Sequence, residues 1–224
     1  MTAETLPPSS STSAMLTRRA LVLGIPLVAA ACVTEGGGPA FGTGDSIASM
    51  YGPVTDGGFR IPAISPSTIR PGYARSQVSW NGPEAPGTIV VDPNARYAYF
   101  IEPGGSATRY GVGVGREGFA WSGQARVGAK REWPKWFPPK EMIEREPRLE
   151  PYRNGMEPGL ANPLGARALY LYEGQKDTLF RLHGTNEPRS IGTAASSGCI
   201  RLFNQDIMHL YARVEMNAPV VVRG

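Results

Sequence analysis

Between residues 88 and 222, short apolar runs alternate with turn residues, and the runs read as strands. Thr88-Ile-Val-Val91 is β-branched and is closed by Asp92-Pro-Asn94, a turn cluster. Tyr97, Tyr99 and Ile101 then alternate with Ala98 and Phe100, the two-residue period of a strand. Pro103-Gly-Gly-Ser106 turns the chain again, and Tyr110, Val112 and Val114 form the next alternating face. Gly111, Gly113 and Gly115 lie between them and mark a close approach of other backbone or of a ligand. Residues 124–129, 168–172 and 179–183 are further strands, and Val220-Val-Val222 closes the chain. Such a series predicts a mainly β domain, a sandwich or a barrel-like sheet.

One helix stands out. Ile207, Leu210, Tyr211 and Val214 recur at i, i+3, i+4 and i+7, with Asn204 as its expected cap and Asp206 at its positive end. On that helix His209 falls out of phase with Ile207, on the polar side, and reads as structural. A shorter helix is expected over 140–146, after Pro138-Pro139. Between Lys130 and Gly165 runs a proline-dense stretch that includes Trp133-Pro-Lys-Trp136-Phe-Pro-Pro. A loop this long inside a compact domain is usually functional. Its prolines reduce the entropy lost when it closes over a ligand. Trp133 and Trp136 serve there either as packing or as a surface that stacks on substrate.

The first 86 residues follow another pattern. Arg18-Arg19, an apolar run over 20–31 and small residues before Cys32 make the three parts of a secretory signal. The run is too short to span a bilayer comfortably. Thr17-Arg18-Arg19 followed by Leu21 resembles a twin-arginine export signal. Ala30-Ala31-Cys32 resembles a lipobox, in which Cys32 becomes the lipidated first residue, although Ala29 stands where leucine is usual. Ordinary cleavage after an Ala-x-Ala stretch is the alternative. Residues 35–45 read as a glycine-rich tether and 46–86 as an extended arm on the domain. The expected organisation is a signal over 1–32, tether and arm over 33–86, and the folded domain over 87–224.

Composition narrows the chemistry. The formal charge of +4 over 224 residues includes the two arginines of the signal. No Lys/Arg run is interleaved with stacking aromatics, which argues against nucleic acid. A mild positive field suits a substrate rich in carboxylates, and equally suits solubility. The only cysteines are Cys32 and Cys199, each with its own explanation, so no disulfide is expected. An unpaired cysteine in an exported chain is a candidate reactive thiol. Cys199 and the two histidines lack the spacing of a metal site.

The informative segment runs from Arg181-Leu-His183-Gly-Thr-Asn to Ser-Ser197-Gly-Cys199-Ile-Arg201-Leu. A thiol attacks only as its thiolate, and an adjacent histidine is the usual means of forming one near neutral pH. The imidazole in turn needs an orienting partner, either a carboxylate or a main-chain carbonyl. Backbone N–H groups around Gly198 and Cys199 can point at a developing oxyanion, with glycine allowing the turn. From the residues alone, a small buried cysteine and a structural histidine are an equal reading.

His183-Gly-Thr-Asn, a loop, then Ser-Ser-Gly-Cys199-Ile-Arg201-Leu and Asn204 closely resembles the signature of the YkuD-type L,D-transpeptidases, ErfK/YbiS-like members included. Pro86-Gly-Thr-Ile-Val-Val and Asn162-Pro-Leu-Gly165-Ala-Arg-Ala-Leu-Tyr170 stand where the family has similar strings. The resemblance implies a β-sandwich of mixed sheets with one or two short helices and the Pro-rich loop over the active site. It implies Cys199 as the acylated nucleophile, His183 as its base and the carbonyl of Gly184 as the orienting group. Amides near Gly198 and Cys199 would form the oxyanion hole. Arg201 would hold the catalytic loop or a substrate carboxylate, the alternative being a pair with Asp206 or a loop carbonyl. Ser197 stands where the motif has a second histidine, and its hydroxyl can still donate a hydrogen bond to substrate.

The implied reaction is acyl transfer on peptidoglycan stem peptides, with no cofactor and no metal. The acceptor is another stem, an envelope protein or water; the last would make a carboxypeptidase. A non-catalytic peptidoglycan-binding lipoprotein is the reading from another class. The expected setting is the periplasm, as a monomer whose one tie to the membrane is a lipid anchor.

Overall fold

The computed structural model describes residues 46–115, 121–196 and 198–224. Two small strands come first, β1 (Val54–Asp56) and β2 (Phe59–Ile61), paired as a hairpin. β3 (Ser76–Ser79), β4 (Ile89–Asp92), β5 (Tyr97–Glu102), β6 (Ser106–Gly111) and β7 (Val114–Gly115) follow. Next come β8 (Gly123–Glu132), β9 (Arg167–Glu173), β10 (Lys176–His183), β11 (Ala194–Ser196), β12 (Ile200–Arg201) and β13 (Pro219–Val222). Nine of them form one mixed sheet in the order β12-β10-β9-β8-β13-β4-β5-β6-β3. Two pairings in it are parallel, β10 with β12 and β13 with β4; the others are antiparallel.

The mainly β, mixed-sheet class and the expected strands are found, and β1, β2, β3, β11 and β12 are strands that the local pattern did not announce. The sheet curls until its ends meet: beyond β6, Gly113 exchanges two main-chain hydrogen bonds with Arg201 of β12, at 2.8 and 2.9 Å. At Gly113 a Cβ would lie 2.7 Å from the carbonyl oxygen of Ser190, so the close approach marked by this glycine is of backbone. Ile89, Ala98, Phe100 and Tyr110 from one half of the sheet share a core with Leu169, Leu171, Leu182 and Ile200 from the other. β4 reads as a continuous apolar run because both its faces are covered. Ile89 and Val91 enter that core, whereas Val90 packs with Ile101 and Ala107 behind the sheet.

Among the described residues three α-helices complete the fold, α1 (Ile47–Met50), α2 (Lys140–Arg145) and α3 (Asn204–Arg213). Ile207, Leu210 and Val214 bury against the sheet, as their spacing predicts. The opposite side of α3 is buried too, since Gln205 and Asp206 face residues 51–75. The proline-dense stretch is folded on itself. Trp136 bridges Met156, and buried Asn162 donates through Nδ2 to the carbonyls of Pro134, Met156 and Glu157 at 3.0–3.3 Å. Trp133 is packing: it is 8% exposed, lies against Phe59 and donates to Asp56.

Of the residues before Gly87, the described ones, 46–86, are built into the fold. β3 extends the main sheet beside β6. Asp56 takes a two-pronged pair from Arg167 at 2.7 and 2.8 Å, which pins the β1–β2 hairpin to β9. Tyr51 donates its hydroxyl hydrogen to Asp206 at 3.0 Å and accepts the amide of Arg75, whose guanidinium reaches the same carboxylate at 3.3 Å. Burial pushes the Asp206 carboxyl up to about 7 against the pull of Arg75. The folded protein therefore keeps a proton there that the unfolded chain releases near pH 4. Its contribution to stability falls as pH rises from about 4 through 7. Asp206→Asn is expected to remove this dependence, so that its unfolding free energy gains on the wild type across that window; denaturant titrations at several pH values measure the difference.

Candidate active site

The site is built on β10 and β12. Leu182 pairs with Ile200 and His183 with Arg201. Leu182 and Ile200 enter the core, so alternation turns His183 and Arg201 to the opposite face. Cys199 immediately precedes Ile200 and sits two positions before Arg201. The imidazole-bearing residue thus ends one strand and the thiol-bearing residue directly precedes its neighbour, two positions or about 6.6 Å back along the strand direction.

His183 is buried, with 4% of its surface exposed. Its Nδ1 lies 2.6 Å from the carbonyl oxygen of Gly184. A carbonyl only accepts, so Nδ1 carries the hydrogen and Nε2 keeps a lone pair. Burial drives the imidazole down to about 4, and the cationic Arg201 and Arg181 push the same way. The carbonyls of Gly184 and Pro163 favour the protonated ring and oppose that shift. The imidazole is neutral at pH 7.

The backbone around the imidazole is over-determined. Gly184 donates to the carbonyl of Arg167 at 3.0 Å, and Leu202 donates to that of His183 at 2.8 Å. Asn204 is not the helix cap expected above. Phe203 occupies that position and makes no side-chain cap. Instead Asn204 accepts the amide of Ala166 through Oδ1 and donates through Nδ2 to the carbonyl of Thr185, both at 3.0 Å. Its side chain clamps the segment after His183 to the start of β9. Asn204 Oδ1 presses so closely on Gly184 that no Cβ fits there.

Cys199 is half-buried, and its Sγ lies 3.8 Å from the carbonyl oxygen of Leu179. Burial pushes its thiol up, while the Arg181 amide and the charges of Arg181 and Arg201 pull it down. Gly198 has φ 128°, a backbone conformation open to glycine. Arg201 pairs with Glu187 at 2.7 Å and not with Asp206, which is taken by Tyr51 and Arg75. His209 stands apart from the site, its Nδ1 2.8 Å from the Tyr110 hydroxyl. Ser197 and Cys32 lie outside the described residues. Among the described residues no cluster of three or more His, Cys, Asp or Glu could hold a metal ion. Sequence reasoning missed Arg181 and Tyr170, which lie beside Cys199; the alternation of β10 about Leu182 was the available signal.

The YkuD family model, described as the L,D-transpeptidase catalytic domain, matches residues 86–222. The chain belongs to this family. It is 30% identical over 139 residues to "Probable L,D-transpeptidase YbiS" of Escherichia coli strain K12, an alignment covering 60% of this chain and 43% of that protein. It is 35% identical over 146 residues to "Probable L,D-transpeptidase YcfS" of the same strain, covering 62% and 44%. The chain thus spans under half the length of these curated relatives. Among solved structures, one from Brucella melitensis, named a probable carnitine operon oxidoreductase, is 49% identical, with a TM-score of 0.49. That likeness covers 66% of this chain and 92% of the other, and the name belongs to that protein. An L,D-transpeptidase from Mycobacterium smegmatis is 18% identical, with a TM-score of 0.46, covering 61% and 58%.

The contact of Asn204 with Gly184 makes a coupled prediction for this YkuD-family domain. Gly184→Ala and Asn204→Ala each destabilise, the latter by about 1–3 kcal/mol for two part-buried partners left unsatisfied. Added to Asn204→Ala, Gly184→Ala costs less than it does in the wild type, because the opposing oxygen is gone. A double-mutant cycle by denaturant unfolding measures that coupling; strict additivity would refute the clamp.

Proposed function

We propose that the chain is a peptidoglycan L,D-transpeptidase, an exported cysteine acyltransferase with Cys199 as nucleophile and His183 as base. The observation that carries this reading is the parallel pairing of β10, which ends at His183, with β12, which begins directly after Cys199, together with Nδ1 of the imidazole held on the Gly184 carbonyl. Family membership supports it, as do the names of the curated relatives that the chain resembles.

The thiol gives its proton to Nε2 of His183 as its sulfur attacks the amide carbonyl that follows the L-centred diaminopimelate or lysine of a tetrapeptide stem. A thiol pushed up and an imidazole pushed down are both neutral at rest, so the proton moves with the attack. The oxyanion is received by the amides of Gly198 and Cys199. The C–N bond breaks, the imidazolium returns its proton to the departing D-alanine amine, and a thioester remains. An acceptor amine then gives up a proton to His183, attacks the thioester and expels the thiol. Arg201, anchored by Glu187, holds the catalytic strand and faces a substrate carboxylate, and Ser197 contributes its hydroxyl. No step calls for a metal or cofactor. The acceptor amine belongs to another stem, giving a 3→3 cross-link, or to a lysine of an envelope protein. The signal pattern and Cys32 support export and a lipid anchor, with the monomer working in the periplasm.

Incubation of the protein with a carbapenem is expected to add one drug mass, read by intact mass spectrometry, and Cys199→Ala to abolish the addition. No adduct, or one that survives the substitution, sinks the enzyme reading and leaves a peptidoglycan-binding protein. Tetrapeptide muropeptides then separate the acceptors: a cross-linked dimer supports transpeptidation, a tripeptide alone a carboxypeptidase. His183→Ala is expected to lower turnover about 10²–10⁴-fold. In the wild type, the acid limb of kcat/KM has its midpoint near the His183 value of about 4, well below that of a solvated imidazole.

A further inference from the structure

We propose that Arg181 is a positioning residue for the Cys199 thiolate, its guanidinium pinned on the nucleophile's face of β10 as a fixed positive charge. The proposal rests on the role given to Cys199 above. Extending the β10–β12 register by one pair beyond Leu182 and Ile200 sets Arg181 directly beside Cys199.

The side chain is held on every side. Nη1 and Nη2 make a two-pronged pair with Asp177 at 2.7 and 2.8 Å, and Nη1 also donates to the carbonyl of Phe180 at 2.9 Å. The guanidinium carbon lies 4.2 Å from the centre of the Tyr170 ring, and only 14% of the side chain is exposed. Residues four apart in a regular strand are too distant for such a pair, about 13 Å between Cα atoms. A bulge shortens the path. The β9–β10 register shifts between Asp177 and Arg181, and Leu179 takes φ 64°. Asp177 accepts the Leu179 amide at 2.8 Å, so one carboxylate both shapes the bulge and grips the arginine. The same bulge presents the Leu179 carbonyl to the Cys199 sulfur.

The charged and titratable groups around the thiol are Arg181 and Asp177 of β10, Arg201 of β12 with its partner Glu187, Tyr170 of β9, and His183. The two guanidiniums are buried alike, with 14% and 18% of the side chain exposed, but the partner of Arg181 is 31% exposed and that of Arg201 is 64% exposed. The pull of the Arg181 charge on the thiol is the larger of the two, and its backbone amide adds to it. Asp177 weakens that pull while fixing its source.

The two partners should therefore act with opposite sign. In the full chain, the pH dependence of iodoacetamide alkylation reads the Cys199 thiol, with peptide-resolved mass spectrometry separating it from Cys32. Arg181→Met is expected to raise the midpoint by about half a unit to one unit. Asp177→Asn is expected to lower it, and Arg181→Lys to fall between the wild type and Arg181→Met. An unmoved midpoint in Arg181→Met, or a rise in Asp177→Asn, overturns the proposal, because a merely structural bulge would respond alike to both. Should Arg181→Met fail to fold, Asp177→Asn decides alone: a fall supports the proposal, and no change or a rise overturns it. Alkylation needs no acyl transfer, so this outcome is independent of the carbapenem and muropeptide results.

Discussion

The closure of the sheet at β12 is the constraint on which the site depends. β12 is two residues long, yet it is bonded on both sides: Leu182 and His183 pair with it on one, Gly113 on the other. A strand this short has little pairing of its own, and Ile200 and Leu202, both buried in the core, supply the anchorage. Parallel neighbours cannot be joined by a tight turn. The connection from His183 to Cys199 therefore runs outward and back before the thiol returns beside the imidazole. Any slip of β12 by one residue would turn Cys199 to the core face and Ile200 outward. Burial of Ile200 thus sets the register that gives the sulfur its place.

Burial acts on the Cys199 thiol and the His183 imidazole in opposite directions. It disfavours the thiolate and the imidazolium alike, and a salt-like resting pair is held off. Such a site must stabilise charge when it develops, and the means are arranged beside it. The Gly184 carbonyl faces the imidazole, and the cationic Arg181 and Arg201 flank the sulfur. The two arginines penalise a charged imidazole while favouring a charged sulfur.

Much of the sheet is written in the chain's local pattern. Alternation at Tyr97–Phe100 and the β-branched run at Ile89–Val91 locate β5 and β4, and the three-four spacing about Ile207 locates α3. Strand order and the two parallel pairings depend on contacts between residues far apart in sequence, about which local periodicity says nothing. Asn204 shows the limit within the site. Its type and position fit a helix cap, and only the fold reveals that Ala166 and Thr185 compete for the same amide and win. Likewise Asp206 looks like a carboxylate placed for the helix dipole, but Tyr51 and Arg75 arrive from 155 and 131 residues away to claim it.

Those long-range claims share a direction. Asp206 on α3 is gripped from residues 51–75, and Arg167 at the start of β9 is gripped by Asp56. One helix and one strand that border His183 are therefore each tied to residues 46–86, α3 through the buried Asp206 carboxyl and β9 through the Arg167–Asp56 ion pair. Ion pairs of this kind contribute little net stability once desolvation is counted. What they supply is geometry. Asn204 at the first turn of α3 and Ala166 beside Arg167 are the two ends of the clamp over Gly184, so fixing α3 and β9 fixes the carbonyl that holds the imidazole. Residues 46–86 thus help hold the elements that orient His183.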